Sequence, residues 1–276
     1  MGKFSHVDFK MENIMNVGSI LALFSGFFVS VVGVLLTTSD IMMFVNGPSV
    51  FIVIGGTLAA TSISVRIPKM WILIKIFFYK MIKGQTVIFP EIIREIIKLS
   101  YAFSSGKDIN QEAKNIKDPF LKECIQLYLD DLVDNEHYLK IIDGRVKNMH
   151  KSLMIDVNRF KNIGKYPPAF GMLGTTMGMI VLLANLGGKD AMKIMGPAMA
   201  VCLITTFYGC LLSNILVIPI SENIDDSAQE IFLKNKIVVE GIKLILAKAP
   251  PAILAEELNS HLDQDDRLDW KEVLSV

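Results

Sequence analysis

The sequence predicts an all-α membrane protein: four transmembrane helices, a large helical cytoplasmic domain between the second and third, and a helical C-terminal segment. Three observations carry that prediction. Four stretches, Asn13–Ser39, Ile41–Val65, Tyr166–Gly188 and Ile194–Ser221, hold no Asp, Glu, Lys or Arg, and each exceeds the roughly 20 residues an α-helix needs to cross a bilayer core. Apolar residues surround these stretches instead of forming a stripe, as expected of helices with no aqueous face. Between and after them the chain shows helical periodicity, with no strand alternation of useful length and no internal repeat.

Composition excludes several classes. The 276 residues carry 28 basic and 28 acidic side chains, with 51% hydrophobic and 20% charged residues. A neutral total excludes a nucleic-acid binder that relies on a charge excess. Ten prolines and 19 glycines exclude a collagen-like or low-complexity chain.

The elements follow in order. Residues 1–16 form a short cytoplasmic start, and residues 17–65 a transmembrane hairpin. The first span begins too late and runs too long for a cleaved signal peptide, so Met1 is expected to belong to the mature chain. Residues 66–165 hold 18 Lys/Arg against 12 Asp/Glu, with Arg66, Lys69, Lys75, Lys161 and Lys165 hard against the spans. The external loops carry only Asp40 and, in the second, Lys189, Asp190 and Lys193. Positive-inside reasoning therefore places the large loop and both termini in the cytoplasm. Within that loop Pro90 opens a helix over Glu91–Phe103, whose Ile92, Ile93, Ile96, Ile97 and Leu99 recur at helical spacing, and Ser104-Ser105-Gly106 ends it. A second helix is expected from Pro119 to about Asn135, and a third from about Glu136 through Arg159 into span three. Residues 166–220 form the second hairpin. In residues 221–276, Glu222–Lys248 reads as a helix and Pro250-Pro251 starts a short last one, Ala252–His261, before a frayed acidic tail, Asp263-Gln264-Asp265-Asp266.

No residues call for catalysis. Cys124, Cys202 and Cys210 lack metal-ligand spacing and read as packing residues, and His6, His137, His150 and His261 are scattered. No nucleophile elbow, phosphate loop or zinc motif occurs, so the chain reads as a non-enzyme with neither metal nor cofactor. Yet the spans also lack any ionisable side chain, which an ion carrier normally keeps. Any ion path must borrow its titrating carboxylate from another chain. What the spans hold is small and hydroxylic: Gly174-x-x-x-Gly178, Thr175, Thr205 and Thr206, with Pro168 and Pro219 as candidate breaks in the helix ladder. Two readings stand: the threonines bond back to their own turns and glycine packs helices, or the three hydroxyls face a partner helix and offer oxygens to a hard cation such as Na⁺ or hydronium.

Pro167-Pro168-Ala169-Phe170-Gly171-Met172-Leu173-Gly174-Thr175, Gly196-Pro197-Ala198-Met199-Ala200, Thr205-Thr206-Phe207-Tyr208-Gly209 and Leu212-Ser213-Asn214 resemble the MotA/PomA family of flagellar stator subunits. The resemblance extends to Met43-Phe44-Val45-Asn46 and Ile52-Val53-Ile54-Gly55-Gly56, and so covers nearly the whole chain. It implies a ring of five such subunits around a MotB/PomB-type single-span partner that supplies the membrane Asp, in the inner membrane. It implies ion-driven rotation of the ring against the rotor switch protein FliG, with Pro168 and Pro219 as the coupling prolines. Thr175, Thr205 and Thr206 match the sodium-driven branch, so sodium is favoured over proton as the transported ion. Two departures stand out. Ser104 and Ser105 replace the family's basic pair, leaving Glu112 with Lys98, Lys107 or Lys114 as the rotor-facing charges, and Asn46 stands at the outer mouth where sodium-type members carry Asp. The alternative is an ExbB/TolQ-like energiser of another envelope process, disfavoured by the early hairpin.

Overall fold

A computed structural model describes residues 17–65, 87–105, 109–130, 133–188, 190–262, 264 and 267–275. The expectations for residues 1–16, Arg66, Lys69, Lys75, Lys107, Lys189 and most of the acidic tail lie outside them. The described residues contain no strand, in agreement with the all-α prediction. Helices α1 (Val17–Thr37), α2 (Gly47–Ser64), α3 (Phe89–Ser105), α4 (Ile109–Asn115), α5 (Pro119–Leu129), α6 (Asn135–Ile163), α7 (Tyr166–Asn185), α8 (Ala191–Leu211), α9 (Ile218–Leu246), α10 (Pro251–Asn259) and α11 (Trp270–Ser275) follow in order. Three helical stretches among the described residues are long and apolar enough to cross a bilayer: Gly47–Ser64, Asn135–Asn185 and Ala191–Leu246. α1 adds 21 uncharged residues.

The chain divides into two compact units. One comprises the described residues of Asn13–Gln85 and Met154–Asp226, centred on α7 against α8. Its turn Ile41–Phe44 begins at Asp40, whose carboxylate accepts the Met42 N–H, and α2 begins at Asn46, whose Oδ1 accepts the N–H and O–H of Ser49. These side-chain caps satisfy amides that a helix start leaves without partners. Two tyrosines tether α2. Tyr208 donates its hydroxyl to Phe44 O and receives the Asn46 N–H, while Tyr166 and Ser64 share a hydroxyl–hydroxyl bond of 2.5 Å. Both α2 and the α8–α9 connection contain a π turn, at Phe51–Gly55 and Leu212–Val217.

The other unit comprises the described residues of Thr86–Leu153 and Ser227–Val276 and has a hydrophobic core. Ile92, Ile93, Ile96, Ile97 and Leu99 of α3 are all buried, with Leu121 and Cys124 of α5, Tyr138 and Ile142 of α6, Ile237 and Ile242 of α9, and Leu254 and Leu258 of α10. Here α9 approaches α3 over Gly241, where a Cβ would meet Ile96 Cγ2 at 2.6 Å. Burial, with Glu123 nearby, pushes the Cys124 thiol up to about 12, which marks it as an inert packing residue. Among the described residues one ion pair is buried: Lys234 Nζ meets Asp118 Oδ2 at 2.5 Å, while Asp118 Oδ1 caps α5 on the Leu121 N–H.

Several boundaries differ from the sequence reading. The second cytoplasmic helix ends at Leu129 instead of about Asn135, because Asp134 starts α6, bonding His137 Nδ1 through its carboxylate and the Tyr138 N–H through its carbonyl. The helix expected from Glu222 starts at Ile218, continuing directly from the π turn at Leu212–Val217, which accommodates the N–H that Pro219 lacks. The last predicted helix stops at Asn259, whose side chain bonds both backbone groups of Leu268. Ser104 and Ser105 lie inside the last turn of α3, each hydroxyl bonded to a carbonyl four residues back. The short helices α4 and α11 were not predicted.

Candidate functional site

The site grows from a stripe of glycines on α7. At Gly171 an added Cβ would lie 2.9 Å from Thr205 O, at Gly174 2.5 Å from Thr205 Cγ2, and at Gly178 2.5 Å from Cys202 Sγ. α8 reciprocates at Gly209, where a Cβ would lie 2.5 Å from Pro167 O. No residue larger than glycine permits this approach, the membrane form of small-residue packing. The sequence showed the Gly174/Gly178 pair; Gly171 and Gly209 each face backbone of the other helix and gave no spacing signal of their own.

That closeness brings oxygens together. Thr175 Oγ1 lies 2.5 Å from Thr206 Oγ1, 2.9 Å from Cys202 O and 3.1 Å from Gly171 O. Thr206 Oγ1 in turn lies 3.4 Å from Cys202 O and 3.5 Å from Gly171 O. Two hydroxyls and two carbonyls thus share one small volume. Thr206 is exposed and Thr175 half-buried, so the cluster sits at an open edge of the helix pair. Each hydroxyl carries one proton and two lone pairs, so after donating it still has capacity to accept or to ligate. Cys202, which the sequence reading treated only as packing, supplies the shared carbonyl and donates its thiol to Thr175 O at 3.2 Å.

Thr205 departs from expectation. It is fully buried, and its hydroxyl donates to Val201 O at 2.7 Å and lies 3.2 Å from Cys202 O. Its side chain fills the notch over Gly174, so it does not face a partner helix with Thr175 and Thr206. Its role in the chain is packing.

Each of the two prolines stands beside an irregularity in the helix ladder. Pro168 stands in the first turn of α7, just after the turn at Gly164-Lys165. Pro219 stands in the first turn of α9, just after the π turn at Leu212–Val217. Gly164 packs against Val217 and Ile218, each with a side-chain carbon 3.4 Å from an added Cβ.

The remaining candidates lie elsewhere. Asn46 is half-buried and spends its side-chain oxygen on Ser49. Lys98 is exposed on α3, and Glu112 is half-buried in the first turn of α4, where a carboxylate complements the helix dipole. Lys107 lies outside the described residues. Among the described residues no group of three or more His, Cys, Asp or Glu could hold a metal ion.

Known proteins resemble this chain in sequence and in fold. Residues 112–265 match the model of the MotA/TolQ/ExbB proton channel family. The chain is 30% identical to Motility protein A of Borreliella burgdorferi over 92% of this chain and 96% of that one. It is 27% identical to Chemotaxis protein PomA of Vibrio alginolyticus, covering 92% and 98% respectively. In fold it is similar to the flagellar MotAB stator complex from Bacillus subtilis, with a TM-score of 0.79 at 19% identity, over 91% of this chain and 98% of that one. C. jejuni MotAB gives a TM-score of 0.77 at 18% identity, over 92% and 99%. With more than half its length on the family model and relatives that align over 92% of it, this chain belongs to the MotA/TolQ/ExbB proton channel family, on its MotA/PomA branch.

Proposed function

We propose that the chain is a flagellar stator subunit that, with a MotB/PomB-type partner, converts an ion-motive force into torque on the rotor. The observation that carries this reading is the Thr175–Thr206 hydroxyl pair at the open edge of α7 and α8, in charge-free runs that hold no Asp, Glu, Lys or Arg. Such a surface offers neutral oxygens and requires a carboxylate from elsewhere; a single-span partner with a membrane Asp supplies it. α1 serves as the fourth span beside the three long apolar stretches. Both termini, residues 66–165 and residues 221–276 are cytoplasmic, and the membrane is the inner one. Five copies surround the partner, and the exposed Lys98 and the half-buried Glu112 belong to the face that meets the rotor protein FliG.

Sodium is the favoured ion. Two hydroxyls and two carbonyls form a hard, neutral ligand set suited to a dehydrated alkali cation, whereas a proton relayed by carboxylate and water needs no such oxygens. Swimming speed measured as Na⁺ is withdrawn at fixed proton-motive force tests the choice. Speed falls with Na⁺ on this reading, and Thr206→Ala raises the Na⁺ concentration for half-maximal speed. Unchanged speed without Na⁺ refutes it.

A further inference from the structure

In an unbroken α-helix the carbonyl of Gly164 would accept the amide of residue 168. Residue 168 is a proline and has no N–H, so the sequence itself leaves that carbonyl without its helical donor. The structure supplies another from 49 positions away: Ser213 Oγ donates to Gly164 O at 2.6 Å. Ser213 is 1% exposed, so the bond lies inside the packed helices.

The second proline places the donor. Pro219 cannot donate to the carbonyl of Ile215, and the residues ahead of it, Leu212–Val217, widen into a π turn. Ser213 lies on that turn. Gly164 meanwhile has no side chain to hold the segments apart, and a Cβ there would press on Val217 and Ile218. The break before α7 and the break before α9 therefore touch through packing and through one hydrogen bond.

We propose that Ser213 is a positioning residue that clasps these two breaks, so that a bend at Pro168 is transmitted to Pro219 through the Gly164 carbonyl. The proposal rests on the stator reading, in which both prolines couple ion flow to torque. The clasp is a discrete two-state element, since one hydroxyl either donates to Gly164 or does not. Its partner set is complete: the donor is buried, its acceptor is freed by one proline and its turn is created by the other.

The test uses the full chain with its partner, comparing wild type, Ser213→Ala and Ser213→Thr. Hydrogen exchange on the purified complex reads the clasp without reference to motility. Ser213→Ala speeds exchange of the Ala169–Met172 amides about fivefold, the size expected for one net hydrogen bond, while Ser213→Thr stays near wild type. Unchanged exchange in Ser213→Ala overturns the clasp. Torque per engaged unit, from bead rotation with units counted by speed steps, reads the coupling. Ser213→Ala halves it or worse at an unchanged number of units, and Ser213→Thr restores it; wild-type torque with raised exchange overturns the coupling role. If Ser213→Ala does not assemble, Ser213→Cys, nearly isosteric but a weak donor, replaces it in both assays. Normal swimming after deletion of the whole chain would instead overturn the stator reading and leave the exchange result standing.

Discussion

Gly174 gives the sharpest prediction about the helix pair. An alanine there would place its methyl 2.5 Å from Thr205 Cγ2 and 2.6 Å from both Cβ and Oγ1 of the same residue. Thr205 cannot turn aside freely, because its hydroxyl is held on Val201 O in a site with no exposure. Relief therefore requires α7 and α8 to separate by roughly 1 Å, or Thr205 to leave its rotamer. Overpacking of this kind costs about 1–3 kcal/mol, offset by up to about 1 kcal/mol from the better helix propensity of alanine. A net loss of about 1–2 kcal/mol lowers the apparent Tm by several degrees, at about 2–4 °C per kcal/mol. The three nearest atoms all belong to the Thr205 side chain, so Thr205→Gly removes the tightest contacts at their source. Thermal unfolding of the purified complex for Gly174→Ala, Thr205→Gly and the double variant closes a cycle, with an expected favourable coupling of at least about 1 kcal/mol. Wild-type stability in Gly174→Ala, or strict additivity of the two changes, refutes the reasoning. Gly171→Ala serves as the contrast, since its nearest atoms are the backbone Thr205 O and Thr206 Cα and no side-chain change can relieve them.

Other expectations are equally direct. Pro168→Ala leaves the complex assembled but abolishes swimming; motile cells with normal protein levels would remove Pro168 from the coupling role. Lys234→Met strands the buried Asp118 carboxylate and costs about 3–5 kcal/mol, read as a loss in denaturant midpoint. Adding Asp118→Asn recovers part of it, because Asn keeps the cap on Leu121. Burial, opposed by the N–H groups of Lys117 and Asp118, pushes the Glu95 carboxyl up from its ordinary 4.5. A raised carboxyl means that the folded state holds the proton more tightly, so this contribution is present below about pH 4.5 and is lost as pH rises through the folded value. Glu95→Gln flattens that part of the Tm-against-pH curve, and an unchanged slope above pH 4.5 would count against the assignment.

The features readable in the sequence were those with a local cause. Absence of charge marked the spans, and the spacing of Ile92, Ile93, Ile96, Ile97 and Leu99 marked the buried face of α3, because helical periodicity is written within a few turns. The features that escaped depend on distant partners. Ser213 reads as one more small residue until Gly164 is placed beside it, and Gly171 and Gly209 show no motif because each answers to the backbone of the other helix. Thr205 and Thr206 are chain neighbours, so composition treats them alike. A helical turn of about 100° separates them, sending one hydroxyl into the interior and the other to the open edge. α4 was missed because its seven residues, INQEAKN, carry too few apolar positions to display a period.

The cap at Asn46 has a consequence for how such proteins change over generations. Its Oδ1 accepts two hydrogen bonds from Ser49, one from the N–H at 3.0 Å and one from the hydroxyl at 2.8 Å. An aspartate carboxylate accepts the same two donors, and Asn and Asp are equally good at starting a helix. Their codons differ by a single base. Negative charge can therefore be gained or surrendered at this corner in one mutational step, with α2 still properly begun. The local charge at this corner is separable from the folding of the hairpin, because the cap needs the oxygen and not the charge.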